Sequence, residues 1–518
     1  MPSIDNAQVF LPDLWATHGK FHPRKEAVVC GNVRRDWGEF DHNMSRVANR
    51  LIDRGIGRDD KVAVLMGNSV AILEVMFGVV RAGACVVPLS GLLTAEQLAV
   101  LIDDCDAAVI FVSEEFRERV DAVRDSLDKI RDDAFVAVGF QGDGWVPLAD
   151  FIGDASDEKP AVRYDLGDDF NIIYSSGTTG LPKGIVQTHR VRQHWSFSNA
   201  VDLRFHSDAR ALTTTALYSN GTWLMVLPAL FAGATLVVMP KFDPSEFLET
   251  VQNERITHSF MVPTQFIVTL ADPDFDDYDL SSLEVVLCAG SPLRPDTKAE
   301  VLQRLSPNLY DVYGFSEGFA TVHKPHMHAA KPDSVGTPVL GFDVKIIDDD
   351  GTELPGGEVG EIVGYGAGIM REYYKRPEQT DAIIWRAPDG RSFLRSGDIG
   401  KLDEDGFLYI LDRKKDMIIS GGFNVFPTDI EAIVGEHEDV LDVSVIGVPH
   451  DKWEETPLAL VIPRDGAGSS TEDILRWANQ RLAKHQRLSG VEFRDEFPRN
   501  ALGKVLKRIL REPYRASA

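Results

Sequence analysis

The sequence predicts an α/β body, a β-rich unit attached to it, and a smaller α+β segment at the C-terminal end. Three observations point there. Short apolar runs of strand length alternate with helical patterns through the body of the chain. Between residues 335 and 412 the texture turns to short strands broken by Gly and Asp. After "LDRKKDMI" (411–418) a fresh alternation of helix and strand patterns begins. Strand–helix–strand order implies parallel pairing, because the crossover between the strands carries the helix.

Taken in order, "KVAVLMG" (61–67) predicts a buried strand, "SVAILEVMFGVVRAG" (69–83) a helix ended by Gly83, and "ACVVPL" (84–89) the next strand. The same rhythm recurs at "AAVIFV" (107–112), "ATLVVM" (234–239) and "LEVVLCAG" (283–290). Residues 157–169 are polar enough to be a linking loop. The uncharged run 221–240, "GTWLMVLPALFAGATLVVMP", has the length of a membrane span. Pro228 and Gly233 instead divide it into a short buried helix and a strand. In the β-rich unit, Asp405-Gly406 sits between two strand patterns and signals a hairpin. The last segment offers a helix over 427–437, a strand over 440–448 and a helix near 471–484. The domains expected are therefore 1–411 and 416–518, with the boundary at 412–415.

At 518 residues the chain exceeds one compact core. Its 54 basic against 80 acidic residues leave −26, which argues against general nucleic-acid or anionic-membrane binding. The four cysteines (Cys30, Cys85, Cys105, Cys288) are scattered without CxxC spacing, so a disulfide framework and structural zinc are disfavoured and a reducing cytoplasm is expected. The first fifteen residues lack the basic-then-apolar pattern of an export signal.

The stretch "YSSGTTGLPKG" (174–184) carries the chemistry. It combines glycines, four hydroxyls (Ser175, Ser176, Thr178, Thr179) and one cation, Lys183, with no acid. Gly177 and Gly180 allow backbone amides to approach oxygens, and the hydroxyls and ammonium suit an anion such as phosphate. The spacing fails the Walker A pattern. Composition alone leaves a phosphate cradle and a flexible polar hairpin both open. Strands are expected on either side, with a helix starting near Thr188, whose hydroxyl can cap it.

These residues resemble the phosphate-binding signature of the adenylate-forming superfamily, which includes acyl-CoA synthetases, peptide-synthetase adenylation domains and firefly-type luciferases. Four further stretches follow in that family's order: "YGFSEG" (313–318), with Ser316 where Thr is usual; "RSGDIGKLDEDGFLYILDRKKDMI" (395–418); "SGGFNVFPTDIE" (420–431); and "PRNALGKVLKR" (498–508). The resemblance spans nearly the whole chain. It implies a large N-terminal domain of two α/β subdomains plus a β-barrel-like unit, and a small mobile C-terminal domain. It also implies a carboxylic acid–CoA ligase using ATP, Mg²⁺ and CoA.

By motif, the resemblance places residues 175–183 over the β- and γ-phosphates. Tyr313 would stack on the adenine and Gly314 would border the nucleotide, with Ser316 on the α-phosphate and Glu317 on Mg²⁺. Asp398 and Arg413 would meet the ribose, and Lys504 would bridge the acid carboxylate and the α-phosphate. Lys415 would be the hinge, and Gly421 and Gly422 would border the CoA pantetheine. The acyl pocket is expected to include Tyr218, Ser219, Ala289, Gly290, Ser291 and Gly336.

The chain departs from the family at "TALYSNGTW" (215–223), where Tyr218 and Ser219 replace an expected Phe-His. No Asp lies between Arg210 and Lys241, which argues against an α-amino acid substrate. "HKPHMH" (323–328) has spacing that could hold a metal, but no Cys or carboxylate lies in register with it. His189 reads as a packing residue at a helix start rather than a base. The alternatives are an enzyme that loads a carrier-protein phosphopantetheine, a nucleotide-binding protein that lost catalysis, and an oxidative luciferase. The first lacks an attached carrier domain here, and intact Glu317, Asp398 and Lys504 speak against the second. Fatty, aromatic and alicyclic acids all fit, and so does a homodimer. Acetylation of Lys504 would remove the charge its role needs.

Overall fold

The computed structural model describes residues 8–174, 182–420, 423–450, 453–499 and 505–515. Two compact units emerge. One comprises Met1–Ala330, Pro338–Asp343 and Tyr365–Ala382; the other comprises Lys331–Thr337, Val344–Gly364 and Ile383–Ala518.

The first unit carries two sheets. In one, the strands Phe135–Val138, Ala107–Ser113, Lys61–Leu65, Cys85–Pro88 and Asp169–Tyr174 lie side by side in parallel. Gly184–Thr188 then turns back antiparallel to Asp169–Tyr174, and Glu372–Tyr373 pairs antiparallel beyond it. The helix Val70–Arg81 between two of these strands is capped by Ser69, whose hydroxyl accepts from the Ile72 amide at 3.3 Å. Gly83 follows it with φ +82°, a left-handed turn that suits a residue without Cβ.

The second sheet runs Ala320–His323, Leu309–Gly314, Val285–Ala289, His258–Met261, Arg210–Thr213, Thr235–Val238 and Glu26–Cys30. Pairing is parallel from Leu309–Gly314 to Glu26–Cys30. Helices such as Pro244–Asn253 and Pro263–Leu270 cover it, burying Phe247, Leu248, Val251 and Phe266 together with Val286 and Leu212.

The uncharged run folds inside this unit. Gly233 ends the helix Trp223–Ala232 at φ +68°, and Thr235–Val238 forms the expected strand. Pro228 does not divide the run as expected; it lies within the helix. A proline there forfeits one backbone hydrogen bond, and near-complete burial of the surrounding turns outweighs that loss. No helix among the described residues is long and apolar enough to cross a membrane.

The second unit holds the β-rich sheet, in which Ser392–Leu402 pairs antiparallel with Gly360–Gly366, Ile384–Arg386 and Leu408–Arg413. The predicted hairpin is there: Gly406, φ +80°, turns the chain between Ser392–Leu402 and Leu408–Arg413. The C-terminal part builds a separate small domain. Its sheet runs Phe423–Val425, Ile418–Ser420, Glu454–Pro463 and Val440–His450, with Gly490–Phe493 beside Glu454–Pro463. The helices Pro427–Gly435 and Thr471–Asn479 lay Ile430, Val434, Ile474 and Ala478 on Val445, Ala459 and Val461. The second helix is shorter than the expected 471–484. The Asn479 side chain turns the chain there, accepting from the Leu488 amide at 2.8 Å and donating to the Leu488 carbonyl at 3.0 Å.

Candidate active site

The parallel order of the second sheet puts the carboxyl ends of Arg210–Thr213, His258–Met261, Val285–Ala289 and Leu309–Gly314 along one edge. Ligands of such sheets bind outside the carboxyl ends of their strands. The register Ala289↔Val312 therefore brings Ala289, Gly290 and Ser291 beside Tyr313 and Gly314. Gly290 has φ +101°, a conformation that favours glycine. Gly314 is closely approached: a Cβ there would lie 3.2 Å from Ala320 Cβ and from the Phe319 carbonyl. Tyr313 is half-buried, and its ring centroid lies 6.4 Å from that of the buried Phe319.

The turn that follows is braced at three points, by two strands of the other sheet and by the segment leading into one of them. Gln187 Nε2 donates to the Ser316 carbonyl at 2.7 Å, and the Met370 amide donates to the Glu317 carbonyl at 2.8 Å. Tyr373 Oη donates to Glu317 Oε1 at 2.8 Å. Burial and the neighbouring carboxylate push the Tyr373 phenol above its ordinary range, so it stays a donor. The Lys183 ammonium sits 4.5 Å from the centre of the Tyr373 ring.

Lys183 immediately precedes the strand Gly184–Thr188, so the sheet register fixes where it begins. Tyr174, at the end of the preceding strand, is anchored by its hydroxyl donating to Asp104 Oδ2 at 2.8 Å. Tyr374 is held likewise by Asp106 Oδ2 at 2.8 Å. These anchors tether the strand before the glycine-rich stretch and the segment that pairs beside the strand after it. Ser175, Ser176, Gly177, Thr178, Thr179 and Gly180 themselves lie outside the described residues, as do Gly421, Gly422 and Lys504.

Tyr218 and Ser219 lie on the turn after Arg210–Thr213, half-buried and buried respectively. That turn is tied down by Asn68, which accepts from the Leu217 amide at 2.9 Å and donates to the Thr215 carbonyl at 3.0 Å. Arg192 Nη2 adds a 2.8 Å bond to Asn220 Oδ1.

His189 is the first residue of the helix His189–Asp202, capped by Thr188 as expected. It is buried among Phe10, Tyr164 and Phe170, and burial pushes its imidazole down to about 4. That environment fits a packing residue. In "HKPHMH", His328 Nε2 lies 2.8 Å from the Leu309 carbonyl and His323 Nδ1 lies 3.4 Å from Lys298 Nζ. Burial, helped by the His328 and Lys298 charges, pushes His323 down to about 4. No group of three metal-ligating side chains occurs among the described residues.

In the second unit, Asp398 is buried, and its Oδ1 lies 3.3 Å from Arg413 Nε. The two occupy opposed positions on adjacent antiparallel strands. Gly336 adopts φ +83°, its amide donating to Ser334 Oγ at 2.8 Å and its carbonyl accepting from the Leu408 amide at 2.9 Å. Lys415 is exposed, in a segment where Arg511 pairs with Asp416 Oδ1 at 2.9 Å.

Tyr373, Gln187 and Met370 were missed from sequence. A tyrosine in "REYYKRPE" carries no sign of a partner 56 positions earlier. The only cue was two tyrosines in a short charged segment.

Residues 15–374 match the AMP-binding enzyme family, and residues 429–504 match the AMP-binding enzyme C-terminal domain. A feruloyl-CoA synthase of an Amycolatopsis species is 34% identical over 500 residues, covering 96% of this chain and 97% of that protein. An indoleacetate–CoA ligase of Aromatoleum aromaticum is 33% identical, covering 96% of each. The solved structure of the anthranilate CoA ligase AuaEII with anthranoyl-AMP superposes with TM-score 0.89 at 25% identity, covering 98% of each chain.

Proposed function

The chain belongs to the AMP-binding enzyme family and is an ATP-dependent carboxylic acid–CoA ligase that works through an acyl-adenylate; we propose that its acid is aromatic and that the residues described above divide the work. The ligase reading is carried by the presence of both family segments in one chain that CoA ligases match almost end to end, and an aromatic acid is supported by the feruloyl-CoA synthase, indoleacetate–CoA ligase and anthranilate CoA ligase that it resembles.

In the first half-reaction a carboxylate oxygen attacks the α-phosphorus of ATP, and the bond to pyrophosphate breaks. Two anions must meet, so positioning and charge neutralisation carry the step. Residues 175–183 wrap the β- and γ-phosphates, with Lys183 as their cation. Ser316 donates to the α-phosphate. Glu317 presents a hard carboxylate oxygen suited to Mg²⁺, which neutralises charge on the triphosphate when bound. Tyr313 and Gly314 flank the adenine, and Asp398, an acceptor-only carboxylate, receives both ribose hydroxyls with Arg413 beside it. Lys504 bridges the attacking oxygen and the α-phosphate.

In the second half-reaction the CoA sulfur attacks the acyl carbonyl and AMP leaves. We assign residues 1–411 to the N-terminal domain and 416–518 to a C-terminal domain that turns at 412–415, about Lys415. That turn withdraws Lys504 and brings Gly421 and Gly422 to the pantetheine. Tyr218, Ser219, Ala289, Gly290, Ser291 and Gly336 line the acid pocket. Four buried, unpaired cysteines support a reducing compartment, the cytoplasm.

The test is mass spectrometry of purified protein with ATP, Mg²⁺, CoA and a panel of hydroxycinnamic, indoleacetic, anthranilic, alicyclic and long-chain fatty acids. Aryl-CoA thioesters with stoichiometric AMP are expected. Turnover confined to fatty acids overturns the aromatic assignment, and an adenylate that accumulates with CoA untouched moves the acceptor to a carrier protein.

A further inference from the structure

We propose that Tyr373 is a positioning residue for adenylate formation: its hydroxyl fixes the Glu317 carboxylate while its ring seats the Lys183 ammonium. One side chain thereby sets the metal-binding acid against the phosphate-binding lysine. This rests on the reading of Glu317 as the Mg²⁺ ligand.

The argument starts from the backbone. Glu372–Tyr373 pairs antiparallel with Gly184–Thr188 in the register Tyr373↔Ile185, only two residues beyond Lys183. The Arg371 amide donates to the Val186 carbonyl at 2.9 Å and the Tyr374 amide to the Gly184 carbonyl at 2.7 Å. Tyr373 is locked on its own account: its amide donates to Thr380 Oγ1 at 3.0 Å, and its carbonyl accepts from the Arg376 amide at 3.0 Å. The side chain is buried at 5% exposure, so the hydroxyl has little freedom. It meets Glu317 Oε1 at 2.8 Å, a charge-assisted bond.

The same segment, 370–374, holds the Glu317 backbone through Met370, so carboxylate and main chain are referenced to one stretch of chain. An ammonium 4.5 Å from the centre of a tyrosine ring is attracted by the electron-rich face. Polar contacts that fix a ligating carboxylate commonly matter for metal affinity about 10–100-fold.

The test separates hydroxyl from ring. Tyr373→Phe keeps the ring and removes the hydroxyl, while Tyr373→Leu removes both. Mn²⁺ binding in the presence of ATP, followed by its paramagnetic resonance signal, is expected to weaken about 10-fold in Tyr373→Phe. ATP affinity in EDTA should stay unchanged in Tyr373→Phe and fall in Tyr373→Leu. Adenylate formation in Tyr373→Phe should need correspondingly more Mg²⁺, with the KM for the acid unmoved. Wild-type Mn²⁺ affinity in Tyr373→Phe beside a weakened Glu317→Gln overturns the role of Tyr373 alone. Unchanged Mn²⁺ affinity in Glu317→Gln overturns the reading of Glu317 and this inference with it.

Discussion

Asp398 and Arg413 face each other across an antiparallel pair, carboxylate to guanidinium at 3.3 Å, with the acid almost wholly buried and the base about one-third exposed. The exposed partner thus steers a carboxylate that the sheet holds in place. In the proposed role this acceptor-only carboxylate would receive the ribose hydroxyls. Asp398→Asn, which turns half of that acceptor into a donor, should raise the KM for ATP by roughly 10–100-fold, the worth of a hydrogen bond to a charged group. The KM for the acid should hardly move. Steady-state kinetics with each substrate varied in turn checks this, and equal increases in both would show a collapsed sheet instead.

Lys504 is expected to serve the first half-reaction only. Lys504→Ala should lower adenylate formation by about 10²–10³-fold, as loss of one transition-state donor does elsewhere. The same protein given preformed acyl-AMP and CoA should make thioester at close to the wild-type rate. Rapid-quench assays of the two halves measure this, and equal losses in both would remove the division of labour. Acetylation at Lys504 should reproduce the alanine pattern, since it removes the same charge.

Much of this organisation was legible because it is local. Thr188 before a helical pattern, Gly83 after one and Asp405-Gly406 between strands each act on their immediate neighbours, and each is found where expected. The motif residues Tyr313, Ser316 and Glu317 were likewise found as a short run. What fixes them was not legible. Gln187, Met370 and Tyr373 reach Ser316 and Glu317 across two sheets, and no periodicity encodes which strand edge will meet which turn. Pro228 departs from the sequence expectation for a related reason. Its local cost as a helix breaker is real, but burial, which sequence does not show directly, overrides it.

Asp412 should make the stability of the second unit depend on pH. Burial pushes its carboxyl up to about 6, against Lys507, which pulls it down. It accepts from the Arg413 amide at 2.6 Å and the Thr428 amide at 3.2 Å, while Thr428 Oγ1 also donates to the Leu411 carbonyl. The folded state therefore binds this proton more tightly than the unfolded chain, whose carboxyl titrates near about 3.9. The group's contribution is fully present below that value and is lost as pH rises through 6. Asp412→Asn, neutral throughout, should gain on the parent by about 2–3 kcal/mol between pH 4 and pH 7. Denaturant midpoints of both proteins across that range measure it, and parallel curves would count against the assignment.

Arg81 and Arg192, both fully buried, should respond differently to the same substitution. Arg81 pairs with Asp41 Oδ1 at 2.6 Å and donates to Ser45 Oγ at 2.7 Å. Arg192 instead donates to two amide oxygens, Asn171 Oδ1 at 2.7 Å and Asn220 Oδ1 at 2.8 Å. It lies over the Trp195 and Trp223 rings at 5.1 and 4.5 Å. Removing Arg81 strands a carboxylate in a poorly solvated place, which costs about 3–5 kcal/mol. Removing Arg192 strands only neutral acceptors, about 1–3 kcal/mol, and spares the desolvation of an unneutralised cation. Methionine fills comparable volume at both sites and keeps the cavity cost small. Arg81→Met should therefore destabilise the first unit by clearly more than Arg192→Met, although both side chains are equally hidden. Arg192→Met should instead show itself in the acid KM, because Asn220 follows Tyr218 and Ser219 on the turn that Arg192 tethers. Urea denaturation of both variants, set beside their acid and ATP KM values, decides the matter. Equal destabilisation would mean that the amide and indole partners neutralise a guanidinium as well as a carboxylate does.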